Sequence, residues 1–324
     1  MNGRKLWAYL IVLLVVAGVF ILSEFVFLKK TGEKENAPLI KVAPGAIEEI
    51  RWQRGEEVIE LKKNKTWEII KPLSAVADAL VVEGVLQGVS SLKADRSFQP
   101  TGGDLIQYGL NPPQTIISFS AQGQRQEIKL GAQAAVGGAR YFQTAGSPTV
   151  HLAEGLSLKE LDRDLPALRE KKVFSLTPGQ VEKVEIHNGQ KNLVLEKMEK
   201  GWLDKGNPDQ PLNQGKVESF INELAGVKAR AFLDGEKEVP VWGLQAPALK
   251  IRVIGGSGKI EETLKIGAEA AGKGHYARSS RFAATLIIEA GLTGKIPSDL
   301  TEWAEKTTPP GAQKPGEPLD KKGS

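Results

Sequence analysis

Residues about 135 positions apart match along most of this 324-residue chain. Trp67 recurs as Trp202, Asp78 as Asn213, Val82 as Val217, Leu86 as Ile221, Val89 as Leu224, Leu92 as Val227 and Ala94 as Ala229. One residue of slippage later, Tyr108-Gly109-Leu110 with Pro113 recurs as Trp242-Gly243-Leu244 with Pro247. Leu130-Gly131 then recurs as Ile266-Gly267, and Tyr141 as Tyr276. A shared order at a near-constant offset means two copies of one module, which places them at 46–174 and 175–306. Each must close its own core within domain-sized limits.

Both copies give the same coarse pattern. Ile47, Ile50 and Trp52 start a strand that turns at Arg54-Gly55 and returns through Val58, Ile59 and Leu61 to Trp67–Ile70. In the second copy Val181, Val184 and Ile186 lead to Asn188-Gly189, a strong hairpin signal, with Leu193–Leu195 and Trp202 following. A helix follows, capped by Asp78 or Asn213. Its apolar residues at 82, 85, 86, 89 and 92, or 217, 220, 221, 224 and 227, recur at helical spacing. Hairpins are expected at Thr115–Phe119 with Glu127–Leu130 and at Leu249–Val253 with Glu262–Ile266. Short strands around 141–152 and 276–288 complete each sheet. Runs of strands with one segregated helix predict an α+β fold, each module a mainly antiparallel sheet with one amphipathic helix. Hairpin-length connections argue against a parallel doubly wound sheet.

Upstream, Leu6 to Leu28 carries one charge, Glu24, one turn from its end. A helix over 6–28 spans about 34 Å, enough for a bilayer core of about 30 Å. The run is longer than the apolar region of a cleavable signal peptide, and no small-x-small cleavage site follows it cleanly. The chain is therefore read as a short cytoplasmic N-terminus at 1–5, an N-terminal transmembrane helix and signal anchor at 6–28, and a linker at 29–45. The two modules follow, and then a Pro/Gly/Lys tail at 307–324 too poor in large apolar residues to fold. This layout predicts a single-pass protein of the cytoplasmic membrane with its body extracytoplasmic, in the cell envelope.

Composition narrows the chemistry. Lys and Arg number 43 against 39 Asp and Glu, for a net charge of +4. Much of the basic excess sits at Arg4, Lys5, Lys29 and Lys30, flanking the apolar run rather than forming a phosphate-tracking face, so no nucleic-acid partner is expected. With no cysteine, disulfides, thiolate metal sites and thiol nucleophiles are excluded. The three histidines, His151, His187 and His275, lie far apart and lack second ligands at metal-binding spacing. Gly255-Gly256-Ser257-Gly258-Lys259 departs from a phosphate loop, with Val253 and Ile260 in place of its end residues and a hairpin setting. Gly272-Lys273-Gly274-His275 lacks a surrounding βαβ unit. Ser90 and Lys93 have serine–lysine spacing, but they fall at a helix end and Ala225 stands where Ser90 would recur. The pairs Glu48-Glu49 and Glu56-Glu57 read as solvated strand positions. No catalytic, cofactor-binding or metal residue is assigned, and no cofactor is implied.

The Trp67-Glu68-Ile69-Ile70-Lys71-Pro72 strand end, the helix at 78–93, Tyr108-Gly109-Leu110-Asn111-Pro112-Pro113, Leu130-Gly131 and Tyr141 together resemble a bacterial membrane-anchored family, domain of unknown function 4340. The second copy departs in having Trp242 for the tyrosine and no proline five residues after Trp202. The resemblance implies an N-terminal membrane helix and, from some relatives, a role beside ABC export systems linked to gliding motility; it supplies no catalytic residues. The function expected is a non-enzymatic, membrane-anchored binding or scaffold protein whose partner is an envelope protein such as an ABC permease. Two alternatives are an envelope carboxylate-dependent hydrolase or transferase, and a polysaccharide-binding protein using exposed aromatic faces.

Overall fold

Hairpins of β-branched and aromatic residues dominate both halves of the chain. The computed structural model describes residues 37–304 apart from 136, 190, 237–238 and 297–299. The expected anchor at 6–28, the N-terminus at 1–5 and the tail at 307–324 lie outside the described residues. Among those described, no helix is long and apolar enough to cross a membrane. The chain divides into two compact units, one ending at Glu170 and the other beginning at Lys171.

In the first unit the strands are β1 (Ile47–Arg54), β2 (Glu57–Lys63), β3 (Trp67–Lys71), β4 (Ala75–Val76), β5 (Arg96–Phe98), β6 (Thr115–Ala121), β7 (Gln124–Gln133), β8 (Arg140–Thr144) and β9 (Val150–Ala153). Helix α1 spans Ala79–Ser90, and α2 (Gly155–Leu161) and α3 (Leu165–Leu168) close the unit. The second unit holds β10 (Val181–Asn188), β11 (Lys191–Met198), β12 (Gly201–Asp204), α4 (Gln214–Ala225), β13 (Ala229–Leu233), β14 (Leu249–Gly255), β15 (Ile260–Glu269), β16 (His275–Ser279) and β17 (Thr285–Ile288).

The first sheet has the order β4-β3-β2-β1-β6-β7-β8-β9-β5 and the second β12-β11-β10-β14-β15-β16-β17-β13, with neighbours antiparallel. With the two-residue β4 set aside, the orders correspond strand for strand, which is the structural counterpart of the sequence repeat. In each unit the helix carries the chain from one edge of the sheet to the other. The next long strand then returns to the centre, beside the first.

The helices form where their caps and stripes predict. Asp78 accepts from the Leu80 and Val81 amides and Asn213 from the Lys216 amide. Val82, Val85, Leu86 and Val89 are buried on α1, and Val217, Phe220, Ile221 and Leu224 on α4. Trp202 is buried, whereas its counterpart Trp67 is only partly buried against the first core. The two edges are finished differently. The Trp67 carbonyl accepts from the Ala77 amide at 3.0 Å. In the second unit the Gln214 side chain takes over, its Nε2 donating to the Trp202 carbonyl at 2.9 Å and its Oε1 accepting from the Trp202 amide at 2.7 Å.

Several expectations are corrected. Among the described residues the first unit has three α-helices rather than one, because Leu158, Leu161 and Leu168 bury against its core. The short edge strands β5 and β13 were not expected. Residues 171–174 belong to the second unit, not the first: Val173 and Phe174 lie in the second core, and the Val173 amide donates to the Val227 carbonyl at 2.9 Å. Nor is 29–45 linker throughout. Ile40 is buried in the first core, and the Leu39 amide donates to the Leu92 carbonyl at 2.8 Å.

Both units are closed at the same two places. The entering segment bonds the end of the helix, as just given. The leaving segment bonds its cap: the Asp78 amide donates to the Leu168 carbonyl at 2.8 Å, and the Asn213 amide to the Trp303 carbonyl at 2.7 Å.

Candidate functional site

The repeated aromatic-Gly-Leu segment makes one structure in both units. A single 3-10 turn (Ile106–Tyr108, Pro240–Trp242) ends at a glycine in the left-handed region, Gly109 at φ 64° and Gly243 at φ 67°. Leu110 and Leu244 then bury. The turn lies directly on the second repeated glycine, Gly131 or Gly267. A Cβ at Gly131 would stand 2.2 Å from the Tyr108 carbonyl oxygen, and one at Gly267 2.0 Å from that of Trp242. The ladder shifts register at these same points, between Leu130 and Gln133 and between Ile266 and Glu269. The aromatic rings complete the lock. Tyr108 packs edge-on to Tyr141 at 4.9 Å and to Phe98 at 5.3 Å, while Trp242 stacks on Tyr276 at 5.1 Å.

What these rigid turns present to solvent is aliphatic. Ile106 is 69% exposed and Val241 76%, with Val239 beside it. Each turn thus holds an aliphatic side chain outward on a fixed backbone.

A second cluster lies in the first unit. Asp162, following α2, takes Arg140 Nη1 on one oxygen at 2.6 Å and Arg54 Nη2 on the other at 2.8 Å, with Thr115 Oγ1 at 3.3 Å. Burial pushes this carboxyl up, but the hydrogen bonds and charges of Arg140 and Arg54 outweigh it and hold it below the usual carboxylate range. A carboxylate so held is a structural tie rather than a proton acceptor. Its stabilisation is fully present above the ordinary aspartate value of about 3.9 and is lost as pH falls through the lower folded value. Asp162→Asn is expected to cost about 2 kcal/mol at pH 7, discounted for partial exposure, and to flatten the acid limb of the stability profile below about pH 4. Denaturant titration of both proteins from pH 7 to pH 3 checks this; parallel profiles would refute it. The signal missed in the sequence is the pair of arginines, which sit on strands far apart in the chain.

The other candidate residues are placed apart. Gly255–Lys259 closes the β14–β15 hairpin, and its amides are occupied: those of Ser257 and Gly258 donate to the Glu182 carboxylate at 2.8 and 3.2 Å. His151 is buried in β9, where Nδ1 lies 2.8 Å from Ser97 Oγ, and burial lowers its pKa. His187 is partly buried beside Asn192, and His275 Nε2 lies 3.4 Å from Thr293 Oγ1. Ser90 donates to its own helix at the Leu86 carbonyl. Glu49 pairs with Lys62 on the solvent face of β1 and β2. Among the described residues, no group of three or more His, Cys, Asp or Glu could hold a metal ion. Trp52, Trp202, Trp242 and Trp303 are buried and Trp67 partly so.

The model of a family described as a domain of unknown function (DUF4340) matches residues 67–247, more than half of the chain. No curated protein and no solved structure matches.

Proposed function

The chain belongs to the DUF4340 family, a domain of unknown function. We propose, from its apolar N-terminal run and its two exposed turns, that it is a membrane-anchored, extracytoplasmic binding or scaffold protein of the cell envelope, an accessory of an ABC-type transport or export system. The observation that supports binding over catalysis is the aromatic-Gly-Leu turn. Both units spend their repeated residues on locking this turn, and both locked turns offer an exposed aliphatic side chain, Ile106 or Val241. Two such anchors on one chain bind a partner with higher effective concentration than either alone. The apolar run at 6–28 supports the tether, which holds those anchors near a permease in the same membrane.

Photo-crosslinking residues at 107 and 239, exposed neighbours of the two anchors, test the reading in intact cells. Recovery of a membrane-embedded transport protein from both positions is expected. The double variant Ile106→Asp with Val241→Asp is expected to abolish recovery while leaving thermal stability within about 0.5 kcal/mol, since both side chains are exposed. Unchanged recovery, or no crosslinked protein at either position, would overturn it.

A further inference from the structure

The two units differ most where the segment after the last strand meets the helix. In the first unit Gly88 leaves room for α2 to lie against α1. A Cβ at Gly88 would meet Leu161 Cδ2 at 3.0 Å, and the Glu154 amide is bound by Asp95 at 2.6 Å. Trp52 clips α2 from the sheet, its Nε1 donating to the Leu161 carbonyl at 2.6 Å. In the second unit Glu223 replaces Gly88, Ile186 replaces Trp52 and Arg230 replaces Asp95. The segment equivalent to α2 becomes a 3-10 stretch, Ala290–Lys295.

A cavity of about 460 Å³ opens there, between α4, the start of β13 and the 3-10 stretch. Its volume falls in the range of small-ligand sites. Buried Leu292 lies among its walls. Its lining carries Lys171, Lys228, Arg230 and Lys295 against Glu223 and Glu289. Glu223 is already engaged by Lys295 at 2.8 Å. Cations therefore outnumber carboxylates within a single concavity. Two of the positions that make it basic, Arg230 and Lys295, are acidic in the first unit, as Asp95 and Glu160.

We propose that this cavity of the second unit binds a phosphate-bearing anion, either a soluble one or the headgroup of a lipid. Ammonium groups act as mobile point charges toward phosphate, and a guanidinium adds a bidentate fork, so this mixed set suits a ligand with several anionic oxygens. The site goes beyond the docking role above and does not rest on it, because it uses neither exposed turn.

The test uses the full chain in neutral detergent. Inorganic pyrophosphate, titrated calorimetrically at low salt, is expected to bind at one saturable site and to weaken as ionic strength rises. Lys228→Gln with Arg230→Gln is expected to weaken binding about tenfold or more, the worth of one charge-assisted hydrogen bond. Glu289→Gln is expected to tighten it, a change that misfolding cannot mimic. Lys62→Gln, on the other unit's sheet, should leave it unaltered. Dihexanoyl phosphatidic acid is titrated in parallel: tighter binding than pyrophosphate assigns the headgroup source, and weaker binding the soluble one. Absence of saturable binding by both probes, or binding indifferent to the Lys228 and Arg230 substitutions, would overturn the proposal.

Discussion

Gly267→Ala is expected to destabilise the second unit by about 3 kcal/mol or more, a large share of the roughly 5–15 kcal/mol that holds a domain together. The cause is a backbone collision, not a lost contact. The added methyl would sit 2.0 Å from the Trp242 carbonyl oxygen and about 3.1 Å from the backbone of the same turn. No rotamer relieves that, so the turn must lift off the strand. Gly243 holds the turn in a left-handed conformation and Leu244 is buried beyond it, which leaves little room for accommodation. Lifting the turn also separates Trp242 from Tyr276, so the tryptophan emission should shift together with the denaturant midpoint. Gly131→Ala should behave alike in the first unit, where the methyl would meet the Tyr108 carbonyl at 2.2 Å. Gly179→Ala supplies the contrast. A Cβ added there would meet nothing within 4 Å, and a change within about 0.5 kcal/mol is expected. Equal stability of the Gly267 and Gly179 variants would sink the account.

Trp52→Ala is expected to cost about 3–5 kcal/mol, because the indole is fully buried in β1 and its removal leaves a cavity in the core. Trp52→Phe separates two contributions. Phenylalanine keeps most of the bulk but strands the Leu161 carbonyl, so about 2 kcal/mol is expected, with amide exchange quickening first in α2. Exchange that quickens uniformly over the unit would show that the indole supports the core without clipping α2.

The sequence reached the repeated parts of this fold because the repeat itself exposed them. Matched tryptophans, caps and aromatic-Gly-Leu segments marked the hairpins, the long helices and the locked turns. What escaped was set by distant partners. Arg96-Ser97-Phe98 is too short and too polar to read as a strand, and becomes one only because Val150–Leu152 lies alongside. Gly155–Leu161 is shorter than two full helical periods, and only the bare Gly88 on another helix gives it a bed. The unit boundary slipped by four residues because Val173 and Phe174 look like the end of one core until the Val173–Val227 bond shows them opening the next. The aromatic-Gly-Leu segments were legible as turns, but the solvent exposure of Ile106 and Val241 cannot be read from their apolar character. The basic cavity was invisible for a related reason: its residues gather from 171, 228–230 and 289–295, with no local motif.

The paired closures at the two ends of each helix have a mechanical consequence. Tension on the first unit enters near Leu39 and leaves near Glu170. It meets the Leu39–Leu92 bond on one side and the Glu170–Val76 and Asp78–Leu168 bonds on the other. These few bonds, with the Ala77–Arg169 bridge beside them, fail by peeling. Strand β1, gripped on both flanks by β2 and β6, must instead slide past two full ladders at once. A stretched chain would thus yield in two stages, a compliant give of its end segments and then a stiff stop. The second unit, built on the same plan, repeats the sequence behind it.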